Sequence, residues 1–418
     1  MNILIISKLG DAQGLAQRMA FEGHHVAMWI KDPAYKHSGF GIVERPESWR
    51  EKLRWCDFIL VDMVGVGSFE KTFKTFGKPY IACSPAMDKL ELDRAEGMRL
   101  FAEVGIEVPE TWSFSSAEKA HGFFVGLDWG EGFVVKADGN LGCATTRLVK
   151  DPDQLEWVFD QYKAATSIIV QRIIKGVEVS TEGWFNGRDF IKPFNHTFEE
   201  KRFMEGNLGP NTGCAGNVVI ARESNRLTKA TVERMKPFLV RAGYRGPLDV
   251  NCIVNAKGAF ALEATARLGY DAIEALLEGV RGGVGDFFQE IALGRMEKME
   301  ISPDYLIGVR LTVPPYPTEA PGLKGVWGEP ILGVNENNIS HLWLCDVCLN
   351  KEDKFFKTGG ADGLTLVATA RGEDVAMARR RVYRTLDNIR VGDKQYRRDI
   401  GLRVEGDIKQ LEEWGWLK

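Results

Sequence analysis

The stretch GPLDVNCIVNAKGAFALEATARLGYD, from Gly246 to Asp271, decides how this chain folds. Two runs suited to strands, LDVNCIV and AFALEA, flank Asn255-Ala256-Lys257-Gly258, whose asparagine and glycine suit a hairpin turn. Such a hairpin is expected to set Asp249 and Glu263 side by side. Both carboxylates interrupt otherwise apolar strands, and burying a carboxylate without a partner costs several kcal/mol. The pair therefore needs a cation: either Mg²⁺ held on a nucleotide's phosphates, or a neighbour such as Arg267 in a salt bridge.

Around this stretch lie 418 residues, enough for roughly two to four domains. Hydrophobic residues make up 44% and charged residues 27%, as in ordinary soluble globular proteins. A net charge of −4 gives no sign of a nucleic-acid surface or a membrane patch. The opening run NILIIS is too short for a signal sequence, and no later apolar run approaches the ~20 residues that span a bilayer. A cytoplasmic enzyme is the expectation. Seven cysteines, an odd number without an export signal, favour reduced thiols. The one CxxC, Cys345-Asp346-Val347-Cys348, sits in LWLCDVCL, which reads as a single buried strand. No second CxxC completes a zinc site.

Upstream, Asn2 to Ser7, His25 to Ile30 and Asp57 to Asp62 read as strands, with a turn at Gly10 to Gly14 and a helix from Leu15 to Gly23. This βαβ pattern belongs to an open Rossmann-like sheet. The first turn, SKLGDAQG, lacks GxGxxG, so no dinucleotide cofactor is expected, although Ser7 to Gln13 remains a candidate substrate loop. From Asp88, DKLELDRAEGMRLFAEVG has the spacing of one amphipathic helix, with Lys89 and Arg94 on its first turns. EGFVVKADGNLGCATT then carries Lys136 on an apolar strand into a loop with Gly139 and Gly142, a pattern suited to phosphate because glycine lets backbone N–H groups approach an anion. SIIVQRII leads to Glu178, and ESNRLTKATVERMKPFLVRAG reads as a further helix.

Strand lysine, later glutamate and acidic hairpin follow in the order of a known superfamily. On VVKADG (134–139), GVEVS (176–180), KR (201–202), GPNTG (209–213), LEATARLG (262–269) and YRRDIG (396–401), the chain resembles the ATP-grasp superfamily. Within it, the resemblance is to the phosphoribosylamine–glycine ligase family of purine biosynthesis, nearly end to end. GPNTG and YRRDIG are specific to that family, whereas the lysine and glutamate motifs are common to the superfamily. The resemblance implies an α/β ATP-grasp fold: an N-terminal Rossmann-like preATP-grasp domain over 1–87, an ATP-grasp domain over 88–300 with a lid at about 110–185, and a C-terminal mixed α+β domain over 301–418.

The resemblance further implies amide formation from small-molecule carboxylate and amine substrates with ATP and Mg²⁺ or Mn²⁺. By it, Lys89, Arg94 and Lys136 meet the phosphates or the adenine edge, Gln171 the adenine, and Glu178 the ribose. Glu263 holds the metal, Asp249 is a second ligand, and Thr265 stands where the family has a metal-binding asparagine. Arg267, Lys201 and Asn211 are the catalytic candidates. The departures fall mostly on the acceptor half. Asp11 replaces an arginine in a loop expected to take the acceptor's phosphate, a charge reversal that repels an anion. The family's GPExPL has no clear counterpart, Asn207-Leu208 replace an acidic residue and a threonine, Cys143 stands near the lid's usual lysine, and LWLCDVC replaces FHAGT. A ligase with another acceptor, or a nucleotide-binding protein without turnover, is the alternative to the parent activity.

Overall fold

In the first strand, β1 (Asn2–Ser7), Ile3 and Ile5 pack into one core cluster and Leu4 and Ile6 into another. Alternate side chains of a strand leave on opposite faces, so β1 is covered on both sides. That suits a parallel sheet. Here β2 (His25–Ile30) and β3 (Phe58–Val61) flank β1, and β4 (Tyr80–Ile81) lies beyond β3, all parallel. The computed structural model describes residues 1–124, 128–138, 146–318 and 323–418. The glycine loop with Gly139, Gly142 and Cys143 lies outside the described residues.

The one helix expected from Asp88 is two, Pro85–Leu92 and Arg94–Glu103. Asp93 leaves helical geometry, and its carboxylate accepts the Glu96 amide at 3.0 Å, capping the second helix. The later helix is likewise broken at Thr231 into Arg226–Ala230 and Lys236–Ala242, with a 3₁₀ turn between.

Next, β5 (Thr111–Phe114), β6 (Phe133–Asp138), β7 (Thr146–Val149) and β8 (Ser167–Arg172) form an antiparallel sheet in the order β5-β8-β6-β7. Phe133, Val135 and Ala137 enter its core with Ala120, Leu155 and Phe159 from the two covering helices. Alternation therefore sends Lys136 out of the other face.

The large sheet has eight antiparallel strands. In order they are β13 (Ala259–Thr265), β12 (Gly246–Val254), β9 (Val177–Phe185), β10 (Phe190–Met204), β11 (Leu208–Arg222), β14 (Tyr305–Thr312), β19 (Leu364–Gly372) and β16 (Leu342–Leu344). Strand β9 lies within the range assigned to the lid from sequence, yet it pairs here with β12 and β10. Likewise β14, β16 and β19, from beyond residue 301, continue this sheet. A three-stranded sheet, β15 (Trp327–Ile331), β18 (Phe356–Gly359) and β17 (Val347–Leu349), completes the chain's strands. LWLCDVCL is thus two strands in different sheets. Asp346 sits at the break, where its carboxylate accepts the Ser38 hydroxyl and the Ala361 amide, both at 2.5 Å. Among the described residues, no helix is long and apolar enough to cross a membrane.

The hairpin turn forms as expected, with the Asn255 amide donating to the Gly258 carbonyl at 2.9 Å. Its register corrects the expected pairing of Asp249 with Glu263. Asp249 stands opposite Thr265, and Asn251 stands opposite Glu263. One extra residue in β13, Leu262, lies between the paired Ala261 and Glu263; the register set at the turn would place Glu263 opposite Val250, and the bulge shifts it to Asn251. The bulge has a use: the Leu262 carbonyl accepts Lys136 Nζ at 3.4 Å, joining the small sheet to the large one.

Candidate active site

Strand alternation raises three carboxylates around one ammonium. Lys201 Nζ on β10 lies 2.9 Å from Glu178 on β9, 3.6 Å from Glu199 on its own strand and 3.5 Å from Glu263 on β13. Burial works against the lysine's charge, but Glu199, Glu263 and Glu178 outweigh it and hold the ammonium well above its ordinary range. For Glu263, desolvation raises the carboxyl, and Lys201, Lys136 and Arg94 together bring it below the usual value. Lys136 is pushed down by burial and by Arg94 and Lys201, with Glu263 and Glu178 opposing. Lys136 from the small sheet, Arg94 from a helix and the carboxylates and Lys201 of the large sheet thus share one cleft.

The cleft continues into an apolar slot. Leu90, Met98 and Ile169 line it beside Gln171, Lys136 and Glu263. Gln171 is buried, and its amide donates to Met98 Sδ at 3.4 Å and to Thr111 Oγ1 at 3.1 Å. Arg94 Nη1 donates to the Ala137 carbonyl at 3.0 Å, next to Lys136. An apolar slot that ends in lysine, arginine and glutamate suits a flat base at one end and phosphates at the other. At the floor of the large sheet, burial first, then Glu199 and Glu182, push the Asp249 carboxyl well above its usual range. Beside it, Asn251 Oδ1 is buried without a partner.

A second cluster lies at the carboxyl ends of β1 and β3. Asp62 Oδ2 accepts the Ser7 hydroxyl at 2.6 Å and the Ala12 amide at 2.9 Å, wrapping the Ser7–Ala12 loop around one carboxylate. Asp62 Oδ1 has no partner. Burial, then neighbouring Asp11, pushes the Asp62 carboxyl up to about 7. Asp11 is raised by burial too, with Arg310 and Arg267 opposing. Across from them Arg310 grips Asp271 with two bonds, 3.0 and 2.6 Å, and donates to the Tyr316 hydroxyl at 2.7 Å. Arg267 Nε donates to Glu91 at 2.9 Å.

Of the residues singled out from sequence, the structure gathers Lys136, Arg94, Gln171, Glu178, Lys201 and Glu263 in the cleft between the two sheets. Asp249 and Thr265 face each other across the hairpin. Arg267 joins the second cluster instead. Asn211 is exposed near the tip of the β10–β11 hairpin, paired with Arg202. Lys89 stands apart, in a surface pair with Glu96 at 3.0 Å. Sequence reasoning missed Glu199, Asp62, Asp271, Glu274 and Arg310. Arg310 carried the same signal as Asp249, a lone charge in an apolar strand, LIGVRLTV. Asp62, last residue of an expected strand, had no such contrast to mark it.

The three-layered arrangement, with a small antiparallel sheet set against a large one and a cation–carboxylate cleft between them, defines an ATP-grasp protein. Residues 97–271 match the family described as phosphoribosylglycinamide synthetase, ATP-grasp (A) domain. The chain is 26% identical over 345 residues to a phosphoribosylamine–glycine ligase of Leifsonia xyli, covering 78% of this chain and 79% of that one. In fold it is similar to the crystal structure of phosphoribosylamine–glycine ligase from Thermotoga maritima, with a TM-score of 0.75 at 21% identity, covering 96% of this chain and all of that one. It is also similar to a biotin carboxylase–ATP-analogue complex from Campylobacter jejuni, at 0.63 and 11% over 98% and 96% of the two chains. The family match is thus confined to residues 97–271, and over most of its length the chain is similar to phosphoribosylamine–glycine ligases.

Proposed function

We propose that the protein is an ATP-dependent ligase that joins a carboxylate to an amine through an acyl phosphate. The observation that supports this best is the cluster of Lys136, Lys201, Glu178 and Glu263 between the two sheets, within the matched ATP-grasp region. In the reaction, a substrate carboxylate oxygen attacks the γ-phosphorus of ATP, the bond to the β-phosphate oxygen breaks, and ADP leaves. The amine nitrogen then attacks the acyl carbon, phosphate departs, and the amine's proton passes to solvent or a nearby base.

Lys136 and Arg94 are placed to neutralise phosphate charge, and their work is electrostatic because phosphoryl transfer demands positioning and charge balance above all. Lys201 holds Glu178, Glu199 and Glu263 in register. Leu90, Met98 and Ile169 keep water from the base. Mg²⁺ or Mn²⁺ fits the donor set. Asp249 is a buried carboxyl crowded by acids, Asn251 Oδ1 lacks a partner, and both are hard oxygen ligands. Among the described residues, no group of three or more His, Cys, Asp or Glu could hold an ion alone, which agrees with an ion completed by phosphate oxygens. Asp249 and Glu263, with Thr265, would hold it. Bound there, the ion would offset charge on the transferring phosphoryl group.

The relatives named phosphoribosylamine–glycine ligase supply the first substrates to try, glycine and phosphoribosylamine. The test follows an oxygen atom. With glycine labelled with ¹⁸O in its carboxylate, an acyl phosphate route transfers one label to the released phosphate. ADP formation without label transfer would rule the route out.

A further inference from the structure

We propose that the crevice at the carboxyl ends of β1 and β3 takes a positively charged, unphosphorylated amine as acceptor; this rests on the ligase reading above and names the substrate class of its second site. The N-terminal sheet has the order β2-β1-β3-β4, so the chain crosses from one side of β1 to the other between β2 and β3. In open parallel sheets, ligands bind at that switch point, beyond the strands' carboxyl ends. Here Asp11 follows β1 and Asp62 follows β3, so both carboxylates stand where a ligand would enter.

The side chains facing them extend the same chemistry. Asp62 and Glu274 are each more than nine-tenths buried, and Asp62 Oδ1 and Glu274 Oε2 have no hydrogen-bond partner. The Tyr270 hydroxyl, which feels both Asp62 and Glu274, has none either. Such groups are costly unless something pairs with them. The two guanidinium groups nearby are already engaged. Arg310 is held by both oxygens of Asp271, and Arg267 is held by Glu91. A phosphate would have to break one of these pairs and then sit beside Asp11 and Asp62. A protonated amine needs neither step, since three buried oxygens without partners, on Asp62, Glu274 and Tyr270, are available to accept its N–H groups.

Binding and turnover test the two levels separately. Calorimetry at 150 mM salt would compare 1,4-diaminobutane, 1,4-butanediol and ribose 5-phosphate on wild type, Asp62→Asn and Glu274→Gln. The diamine is expected to bind wild type at least about tenfold more tightly than either other probe. Each variant is expected to lose roughly tenfold or more of that affinity, the usual worth of a charge-assisted hydrogen bond. Unchanged affinity for a fluorescent ATP analogue and an intact thermal transition would show that each variant is folded. Ribose 5-phosphate binding as tightly as the diamine, no diamine binding by wild type, or diamine affinity in both variants equal to that of wild type would overturn the proposal. ADP release with ATP, Mg²⁺, glycine and either the diamine or freshly generated phosphoribosylamine is read independently. If no pair releases ADP the ligase reading fails, whatever the binding results; if phosphoribosylamine alone does, the ligase reading stands and the cationic acceptor falls.

Discussion

Glu263 is half exposed and lies 3.5 Å from Lys201 Nζ, so its role is read as electrostatic. Glu263→Ala is expected to reduce ADP formation by at least about 100-fold, as loss of one transition-state charge contact commonly does, while leaving the melting temperature within a degree or two of wild type by the small effect of surface changes. Retained turnover would remove Glu263 from the site. Lys136→Ala should weaken nucleotide binding by about 1.5–3 kcal/mol, measured by titration with a fluorescent ATP analogue. Asp62 gives a pH prediction. Its folded value of about 7 lies above that of an unfolded aspartate, so the native state binds the extra proton and loses stability as pH rises from about 4 to 7. Asp62→Asn should therefore melt higher than wild type above pH 7, with the gap closing toward pH 4. Asp11, raised in the same direction, leaves part of the slope in place. Thermal unfolding across pH 4 to 8 checks the sign.

Two motifs far apart in sequence meet in one hairpin. Arg397 of YRRDIG is buried, and Nη1 donates to the Arg202 carbonyl at 2.8 Å while Nε and Nη2 bind both oxygens of Asp399 at 2.7 Å. Asp399 in turn accepts the Gly206 amide at 2.9 Å, at the turn that leads into GPNTG. The C-terminal motif thus clamps the β10–β11 hairpin that carries Lys201 and Asn211. Arg397→Ala should cost about 1.5–3 kcal/mol, because it removes the charge-assisted bonds to Asp399 and the Arg202 carbonyl, while Glu200 keeps Arg403 at 2.7 Å; chemical denaturation measures the loss. At this scale the sequence was readable where signals are local. The Asn255–Gly258 turn announced its hairpin, and β2 fell on the expected residues. It was unreadable where one residue shifts the outcome. Leu262 is an ordinary strand residue, yet as a bulge it moves Glu263 from Val250 to Asn251. Asp93 looked like any polar residue of an amphipathic helix, and capping is decided by geometry the helical period does not encode. For the site, Lys136 and Glu263 stood out as charges in apolar strands, whereas Glu199 sat unnoticed in a charged run, EEKR.

The small sheet has its own core and its own hydrogen-bonded strands, and Lys136 to the Leu262 carbonyl is one polar contact that joins it to the large sheet. Modules joined in this way move as units more readily than they unfold. Nucleotide binding should slow hydrogen exchange along β6 without changing it in β1; equal slowing in both would mean a general stabilisation instead. The range read from sequence for the lid, about 110–185, runs into β9 of the large sheet, since strand pairing across long separations leaves no local mark. The order of the large sheet has a consequence for the chain's birth on the ribosome. Strands β9 to β13 emerge early, but β11 finds its outer neighbour only when β14 appears, and β14 only when β19 follows. Until then β11 offers unpaired amides and carbonyls to any passing strand. The nascent protein therefore carries an open edge for as long as β14, and after it β19, has yet to emerge, and it is these two strands that protect the unfinished enzyme from sticking to its own copies.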